Sequence, residues 1–410
     1  MAVDVKRVRN ADRPMSLFAE KEFARLWAIG GLLGAMRWLE ILVIGIYAFQ
    51  VSGSPFVVAI MLVARMLPMV LFGTFIGAAV ENMDRRQVLV WTCVLMTLSA
   101  LTGAVAVAID IMSLPLLAGV AFLNGLGWST DFPVRRTLVG DVVEPKMLGN
   151  AMSLESATNS LTRMIGPLIG GATYQVLGLG GAYAIAAVIY GLTIIFAFGV
   201  ARPRQLKNAM GRENLLTRLK AGFAYTRRNN VITGVLIVTV ILNLFGFAYA
   251  AMIPVWAVEN FNVGPVFVGL LASAEGGGAF LGSLTLALWA RPEQFRRLFL
   301  IGAVIFVGGL LIASKLTLYG VALFVLFVAG VGIAAFGAMQ STLVLKESLP
   351  RYRSRVMGVL AACIGAGPLG VLNIGLIAEL TSASTAIALS SALGLTFIAL
   401  FNWHLTTFWR

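Results

Sequence analysis

The segment Gly73-Thr-Phe-Ile-Gly77-Ala-Ala-Val-Glu81-Asn-Met-Asp84-Arg85-Arg86 closes an apolar run with small residues and then turns through a short, doubly basic loop. Its second copy lies 205 positions on, where Gly73-Thr-Phe75-Ile-Gly77 returns as Gly278-Ala-Phe280-Leu-Gly282. At the same offset Arg86 meets Arg291, Thr137-Leu-Val meets Thr342-Leu-Val, Pro145 meets Pro350 and Met152 meets Met357. The chain has 410 residues, so the period divides it into two homologous halves. Each half is too apolar to stand in water, and paired repeats of this kind suggest a membrane transporter with its working site between them.

Composition bounds the class. Hydrophobic residues make up 59% and charged residues 12%, with a mean hydropathy of +0.90, where a soluble domain carries about 25% charged. That is a polytopic membrane protein. The formal net charge of +13 is spread over short loops between apolar runs and forms no continuous basic face, so no nucleic-acid partner is expected. Cys93 and Cys363 both lie inside apolar runs and imply no disulfide framework, and the single His404 argues against a histidine metal site.

Apolar runs recur at 26–50, 55–80, 87–109, 114–137, 150–175, 180–201, 231–257, 266–290, 297–314, 319–345, 355–379 and 383–408. Most reach the ~20 residues that a ~30 Å hydrocarbon layer requires. The basic residues before the first run enclose no separate apolar core, so that run reads as a retained helix and not a cleaved signal. By this assignment 27 of the 31 Lys and Arg fall at the termini, in alternate loops or at the run ends that adjoin them, Arg37, Arg65 and Arg163 fall deep within spans, and Lys315 falls in an opposite-side loop. Both termini are therefore expected in the cytoplasm. The organisation expected is an N-terminal segment (1–25), a six-helix bundle (26–201), a cytoplasmic linker (202–230) and a second six-helix bundle (231–408). Within the linker Leu215, Leu216, Leu219 and Phe223 share one helical face, which predicts a short interfacial helix.

Several words then become specific. Gly77, three residues, Glu81 and Asp84-Arg85-Arg86 resemble the loop between the second and third helices of the major facilitator superfamily, Gly-x-x-x-Asp-Arg-x-Gly-Arg-Arg or Lys. Here Glu81 replaces the aspartate, Asn82 the first arginine and Asp84 the second glycine. Arg163-Met-Ile-Gly166-Pro167-Leu-Ile-Gly170-Gly171 resembles the Gly-Pro-x-x-Gly-Gly motif of proton-coupled exporters in that superfamily, with Thr162 in place of its leading glycine. Ser52-Gly-Ser-Pro55, Pro133-x-Arg135, Leu219-Lys-Ala-Gly222 and Arg353-Ser-Arg355-Val-Met357-Gly are similar to the branch containing enterobactin exporters and drug/proton antiporters. The resemblance implies an all-α fold of twelve transmembrane helices in two six-helix repeats, located in the inner membrane of a bacterium. It also implies gating by Gly77, Glu81, Asp84, Arg85 and Arg86, and hinging at Gly166, Pro167, Gly170 and Gly171. Glycine and proline at that point weaken the backbone ladder and let a neighbouring helix approach, although such residues also serve plain packing. Gly365-Ala-Gly367-Pro368 offers an equivalent hinge in the eleventh span.

Charges inside the membrane cost about 3 kcal/mol or more each, so each needs a partner, a cavity or a task. At 1.5 Å per residue, Arg37, Glu40, Arg65, Arg163 and Glu275 fall near ~20 Å depth, while Asp131 and Glu155 fall near ~8 Å. Arg37, Glu40 and Arg65 are placed to form one cluster, structural or functional. Arg163 has Asn159 and Pro167 at i−4 and i+4, so its own helix supplies no acid. Glu275 stands beside Gly276-Gly-Gly278 with no Lys or Arg within a turn, which makes it the first proton-carrier candidate and Glu40 the second. Asp131 with Arg135 is an i, i+4 pair suited to a gate or a structural bridge. Candidate cavity residues are Arg163, Arg37, Arg65, Trp38, Asn124, Asn159, Asn243, Gln340 and Asn373, with Trp128, Tyr249 and Trp256 as aromatic surfaces.

The function expected is proton-coupled export of an amphipathic small molecule such as a drug or siderophore. Lipid flipping or nutrient import on the same fold is the alternative. An intramembrane enzyme finds no His-Glu-x-x-His, no nucleotide loop and no Ser/His pair at one depth. Partners expected are the substrate, protons and membrane lipid, with no cofactor, no metal and a monomeric working unit.

The basic asymmetry makes a topological prediction. A periplasm-active reporter fused after Arg410 stays silent, and a cytoplasm-active one is bright. The reverse pattern removes the twelve-span topology.

Overall fold

In hydrocarbon every backbone N–H and C=O must find its partner inside the protein, which leaves helices for chains of this composition. The structure, a computed structural model, describes residues 14–81, 83–144, 147–201, 215–349 and 352–404, and among them there is no strand. The membrane helices are α1 (Lys21–Ser52), α2 (Pro55–Glu81), α3 (Arg85–Ala108), α4 (Leu114–Val142), α5 and α6 as the two arms of Leu148–Gly199, α7 (Asn230–Phe261), α8 (Pro265–Trp289), α9 (Phe295–Ala313), α10 (Tyr319–Glu347), α11 (Arg355–Leu380) and α12 (Ala383–His404). Gly178 separates α5 from α6 with φ 64° and ψ −166°, a conformation that only glycine adopts freely.

Ten segments are long and apolar enough to cross a membrane on those grounds alone. Leu148–Gly199 counts among them once although it holds two arms. The helix left out is α4, into which Asn124, Asp131, Arg135, Arg136 and Asp141 bring too much polarity. With those two additions the twelve expected helices are present.

Two compact units divide the chain: Met1–Ile44 with Ala64–Lys207, and Gly45–Val63 with Asn208–Arg410. The end of α1 and the start of α2 thus belong to the second unit, where Gly45 packs on Pro254 and Ser54 donates to Glu379 at 2.7 Å.

The repeat is visible inside each unit as matching close approaches. In the first, a Cβ on Gly125 of α4 would overlap the carbonyl oxygen of Arg65 on α2. In the second, a Cβ on Gly330 of α10 would overlap the carbonyl oxygen of Glu275 on α8. These glycines stand 205 positions apart (330 − 125), the same period as the sequence words. Gly127 against Met96 and Gly332 against Gly302 repeat the pattern at the α3–α4 and α9–α10 contacts. Each unit also ties the start of its third helix to the end of its fourth by an ion pair, Arg85–Asp141 at 2.6 Å and Arg296–Glu347 at 3.2 Å.

Small residues face in, and large apolar ones face out. Val176, Leu288, Trp289 and Leu380 are more than two-thirds exposed, a liability in water but the solvated state in lipid. Trp256 is only 1% exposed and packs edge-on to Phe261 at 5.2 Å, so it is core and not a cavity surface.

The linker helix forms at Leu215–Thr226. It lies on the start of α11, where Gly222 leaves 2.8 Å between its Cβ position and the carbonyl oxygen of Arg355, and Tyr225 stacks on Tyr352 at 4.3 Å. Of its expected apolar face, the side chains of Leu215, Leu216 and Leu219 lie outside the described residues, and Phe223 is exposed. Two irregularities matter for the site. Helix α7 passes through a π-type turn at Leu242–Gly246 and 3-10 turns at Phe247–Met252, and α11 breaks between Ile364 and Gly367.

Overpacking a tight backbone contact costs roughly 1–3 kcal/mol. Gly125→Ala and Gly330→Ala are each expected to lower the melting temperature of the purified protein, whereas Gly119→Ala, on the same helix as Gly125 but with open space around it, does not. Equal melting temperatures for all three would show the glycine contacts to be slack.

Candidate functional site

The first unit holds a partly open cavity between α1, α3, α4 and α5. Its α1 wall is Gly30, Leu33, Gly34 and Arg37, at the three- and four-residue steps that put them on one helix face. Trp128, Phe132, Arg135 and Arg136 come from α4, and Glu155, Thr158 and Asn159 from α5. Arg37 donates to the Asn159 side-chain oxygen at 2.7 Å, and its guanidinium lies 5.0 Å from the Trp38 ring centre and 5.1 Å from that of Trp128. Arg163 reaches the same Trp38 ring, at 5.1 Å. Four residues named from sequence, Arg37, Trp38, Asn159 and Arg163, thus come together.

The expected Arg37–Glu40–Arg65 cluster forms only in part. Arg65 donates to Glu40 at 2.9 Å, and the Asn124 amide donates to the other carboxylate oxygen at 3.1 Å, all three residues being buried. Arg37 has gone instead to Asn159. Three residues along a helix still leave a turn of about 60° between side chains, enough to send Arg37 and Glu40 to different neighbours. Glu40 and Arg65 have the geometry of a structural pair.

At the shallower layer Arg135 joins two acids, Asp131 at 3.2 Å and Glu155 at 2.5 Å, with all three nearly buried. Depth counting put Asp131 and Glu155 in one layer, but the arginine they share was not visible in it. Arg135 fits because Gly30 of α1 has no side chain where the guanidinium lies.

In the second unit Glu275 is 3% exposed and accepts a hydrogen bond from the Tyr249 hydroxyl. Gln340 donates to the Thr239 hydroxyl at 2.6 Å, and Asn243 donates to the Thr239 carbonyl at 2.9 Å. Both amides are buried and bridge within or between helices, while Asn373 is exposed on α11. Asn243 sits in the π-type turn of α7, and Gly370 of α11 lies against the carbonyls of Asn243 and Leu244.

In the loop after α2, Asp84 caps α3 by accepting from the backbone N–H groups of Arg86 (3.0 Å) and Gln87 (3.4 Å). Arg85 pairs with Asp141, and Arg86 donates to the carbonyl of Phe198 at the end of α6. The side chains of Gly77 and Glu81 lie outside the described residues. The partners Asp141 and Phe198 carry no sequence signal, because a salt bridge 56 positions long has no local period.

The hinge residues Gly166, Pro167, Gly170 and Gly171 are all buried, within a helix that stays helical through Pro167. A Cβ on Gly166 would lie 2.6 Å from that of Trp38, and one on Gly170 would lie 3.1 Å from the Leu39 backbone. The motif therefore seats α5 on α1 beside the indole that carries both arginines. The corresponding segment of α11 is broken, not continuous.

The family model described as transmembrane secretion effector matches residues 13–408. Macrolide efflux protein A of Streptococcus pyogenes is 23% identical over 81% of this chain and 83% of its own length. The protein of that name from Enterococcus faecalis is 24% identical over 78% of this chain and all of its own. The multidrug efflux pump Tap of Mycolicibacterium fortuitum is 24% identical over 84% and 86%. Among solved structures, the nucleoside transporter NupG superposes with a TM-score of 0.73 at 13% identity, covering 92% of this chain and 98% of that one. A bacterial homologue of the human lysosomal transporter Spinster gives 0.68 at 15%, covering 95% and 96%. These are transporters and not enzymes.

The seating of α5 on α1 can be tested directly. Gly166→Leu and Gly170→Leu are expected to insert at normal abundance yet lose transport, because a bulky side chain holds α1 away from α5. Full transport in both would reduce the motif to passive packing.

Proposed function

Because the chain belongs to the transmembrane secretion effector family of major facilitator transporters, we propose that it exports an amphipathic small molecule across a bacterial inner membrane, driven by protons moving the other way. The reading has a monomer working by alternating access, with both termini in the cytoplasm. Export is supported by the likeness to macrolide and multidrug efflux proteins and by the Gly166-Pro167-x-x-Gly170-Gly171 word.

The observation that carries proton coupling is Glu275. A carboxyl at membrane depth is costly and marks proton pathways in transporters. The two acids nearest the membrane middle differ in how they are held. Glu40 has one oxygen on Arg65 and the other on Asn124, so both its oxygens are engaged between regular helices. Glu275 accepts from the hydroxyl of Tyr249, in a part of α7 where the regular helix is interrupted. Glu275 is therefore the proton carrier, and Glu40 the scaffold.

Everted vesicles test both parts of the reading. Wild-type protein is expected to accumulate an exported drug in the lumen when a proton gradient is imposed, and Glu275→Gln to lose that accumulation by at least about tenfold while still binding drug, since the amide resembles the protonated acid but releases no proton. Gradient-driven uptake at the wild-type rate in Glu275→Gln moves the carrier elsewhere. Uptake only in right-side-out vesicles reverses the direction and favours import.

A further inference from the structure

We infer that the cavity of the first unit is a binding site for an amphipathic organic anion, a carboxylate or sulfonate on an aromatic or aliphatic body, with Arg37 as its anchor. The inference deepens the export reading, from which it takes only that this cavity receives the transported molecule.

Charge is the first support. The cavity wall carries three guanidinium groups, Arg37, Arg135 and Arg136, and two carboxylates, Asp131 and Glu155. Both carboxylates are committed to Arg135. That leaves the wall at +1 (3 − 2). A cation entering here meets net repulsion, and an anion meets net attraction.

How Arg37 is held is the second support. Its guanidinium rests against the Trp38 and Trp128 rings and donates to the neutral oxygen of Asn159. Its Nε is buried with no hydrogen-bond partner among the described residues. Asp131, the acid on the same wall, is engaged by Arg135. Asp131 attracts Arg37 from across the wall, but among the described residues no carboxylate bonds it directly, and a carboxylate ligand would accept from the buried N–H that has no partner.

Shape is the third. Leu33, Met96, Trp128 and Phe132 give the same cavity an apolar and aromatic side, and Gly30 and Gly34 keep its α1 wall low. A charged head on a flat apolar body satisfies both sides at once.

The test uses the full-length protein in phosphatidylcholine nanodiscs and three probes of one size: 2-naphthoate, 2-naphthylmethanol and 2-naphthylmethylammonium. Binding is read from quenching of tryptophan fluorescence, with empty nanodiscs correcting for lipid partition. Wild-type protein is expected to bind naphthoate at least about tenfold more tightly than the alcohol, and the ammonium more weakly than either, a gap that shrinks with added salt. Arg37→Gln should bring naphthoate to within about threefold of the alcohol, with the alcohol itself unchanged. Equal or better binding of the alcohol or the ammonium by wild type overturns the inference without any variant having to fold. A full tenfold preference surviving in Arg37→Gln, or its loss in Arg135→Lys alone, moves the anchor away from Arg37. No proton gradient enters the measurement, so export can fail in vesicles while the anion preference stands, and the preference can fail while Glu275 still couples protons.

Discussion

A guanidinium in hydrocarbon has to be answered where it stands, and the arginines of the first unit are answered to different degrees. Arg65 has a carboxylate at 2.9 Å, and Arg135 has two within reach. Arg37 has aromatic faces and an amide oxygen. A cation over an aromatic ring gains about 0.5–2 kcal/mol, below the about 3 kcal/mol or more that the charge costs at membrane depth. The helices around α1 are arranged by this requirement. α2 and α4 close around Glu40, α4 and α5 meet at Arg135, and the face of α1 toward α5 is left with its charge incompletely answered.

The second unit keeps the skeleton and changes the chemistry. Gly125 and Gly330 occupy equivalent places, and the carbonyls they receive belong to Arg65 and Glu275, the buried charged residues on α2 and α8. In both halves, then, a glycine of the fourth helix fixes the backbone of a charged residue on the second, so that the side chain starts from a rigid point. Only the answer to the charge has diverged. Arg65 finds an acid on α1, and Glu275 finds a phenol on α7. In one half the charge meets a carboxylate, and in the other a phenol hydroxyl donates to the acid.

The fold was legible because its causes are periodic. The 205-residue repeat, the apolar runs and the loop arginines are properties of spacing, and the repeated glycine contacts rest on the same spacing. Depth counting along helices was also sound as far as it went: Asp131 and Glu155 share a layer, and so do Arg37 and Arg163. Direction around the helix was not legible to the same degree. Arg37 and Glu40 lie close enough in sequence to suggest one cluster, but which neighbour each meets depends on where α4 and α5 pack, and that is set by contacts such as Gly30 on Arg135 and Gly166 on Trp38. The Tyr249 partner of Glu275 was hidden for another reason. An unbroken α7 would turn residue 249 to a different side, and nothing in Leu242–Met252 announces its π-type and 3-10 turns.

Those turns bear on how a proton event could become movement. A regular α-helix resists local change because each residue shares a ladder bond with the turn before it, whereas π-type and 3-10 turns hold their residues by bonds of other lengths and poorer geometry. Tyr249 lies in the 3-10 stretch, and the carbonyls of Asn243 and Leu244, just before it, receive Gly370 of the broken helix α11. The hydrogen bond on Glu275 is therefore attached to the least regular part of the unit. A carboxylate accepts from the phenol strongly, while a protonated acid can accept less strongly or donate in its turn. Under the proposed coupling, the two forms of Glu275 would favour different placements of the Tyr249 segment, the kind of bias a two-state transporter needs. Glu40, clamped between regular helices by Arg65 and Asn124, has no such segment to move. In the reading proposed above, the same residue type serves as scaffold in one half and carrier in the other because of the backbone that presents its partner.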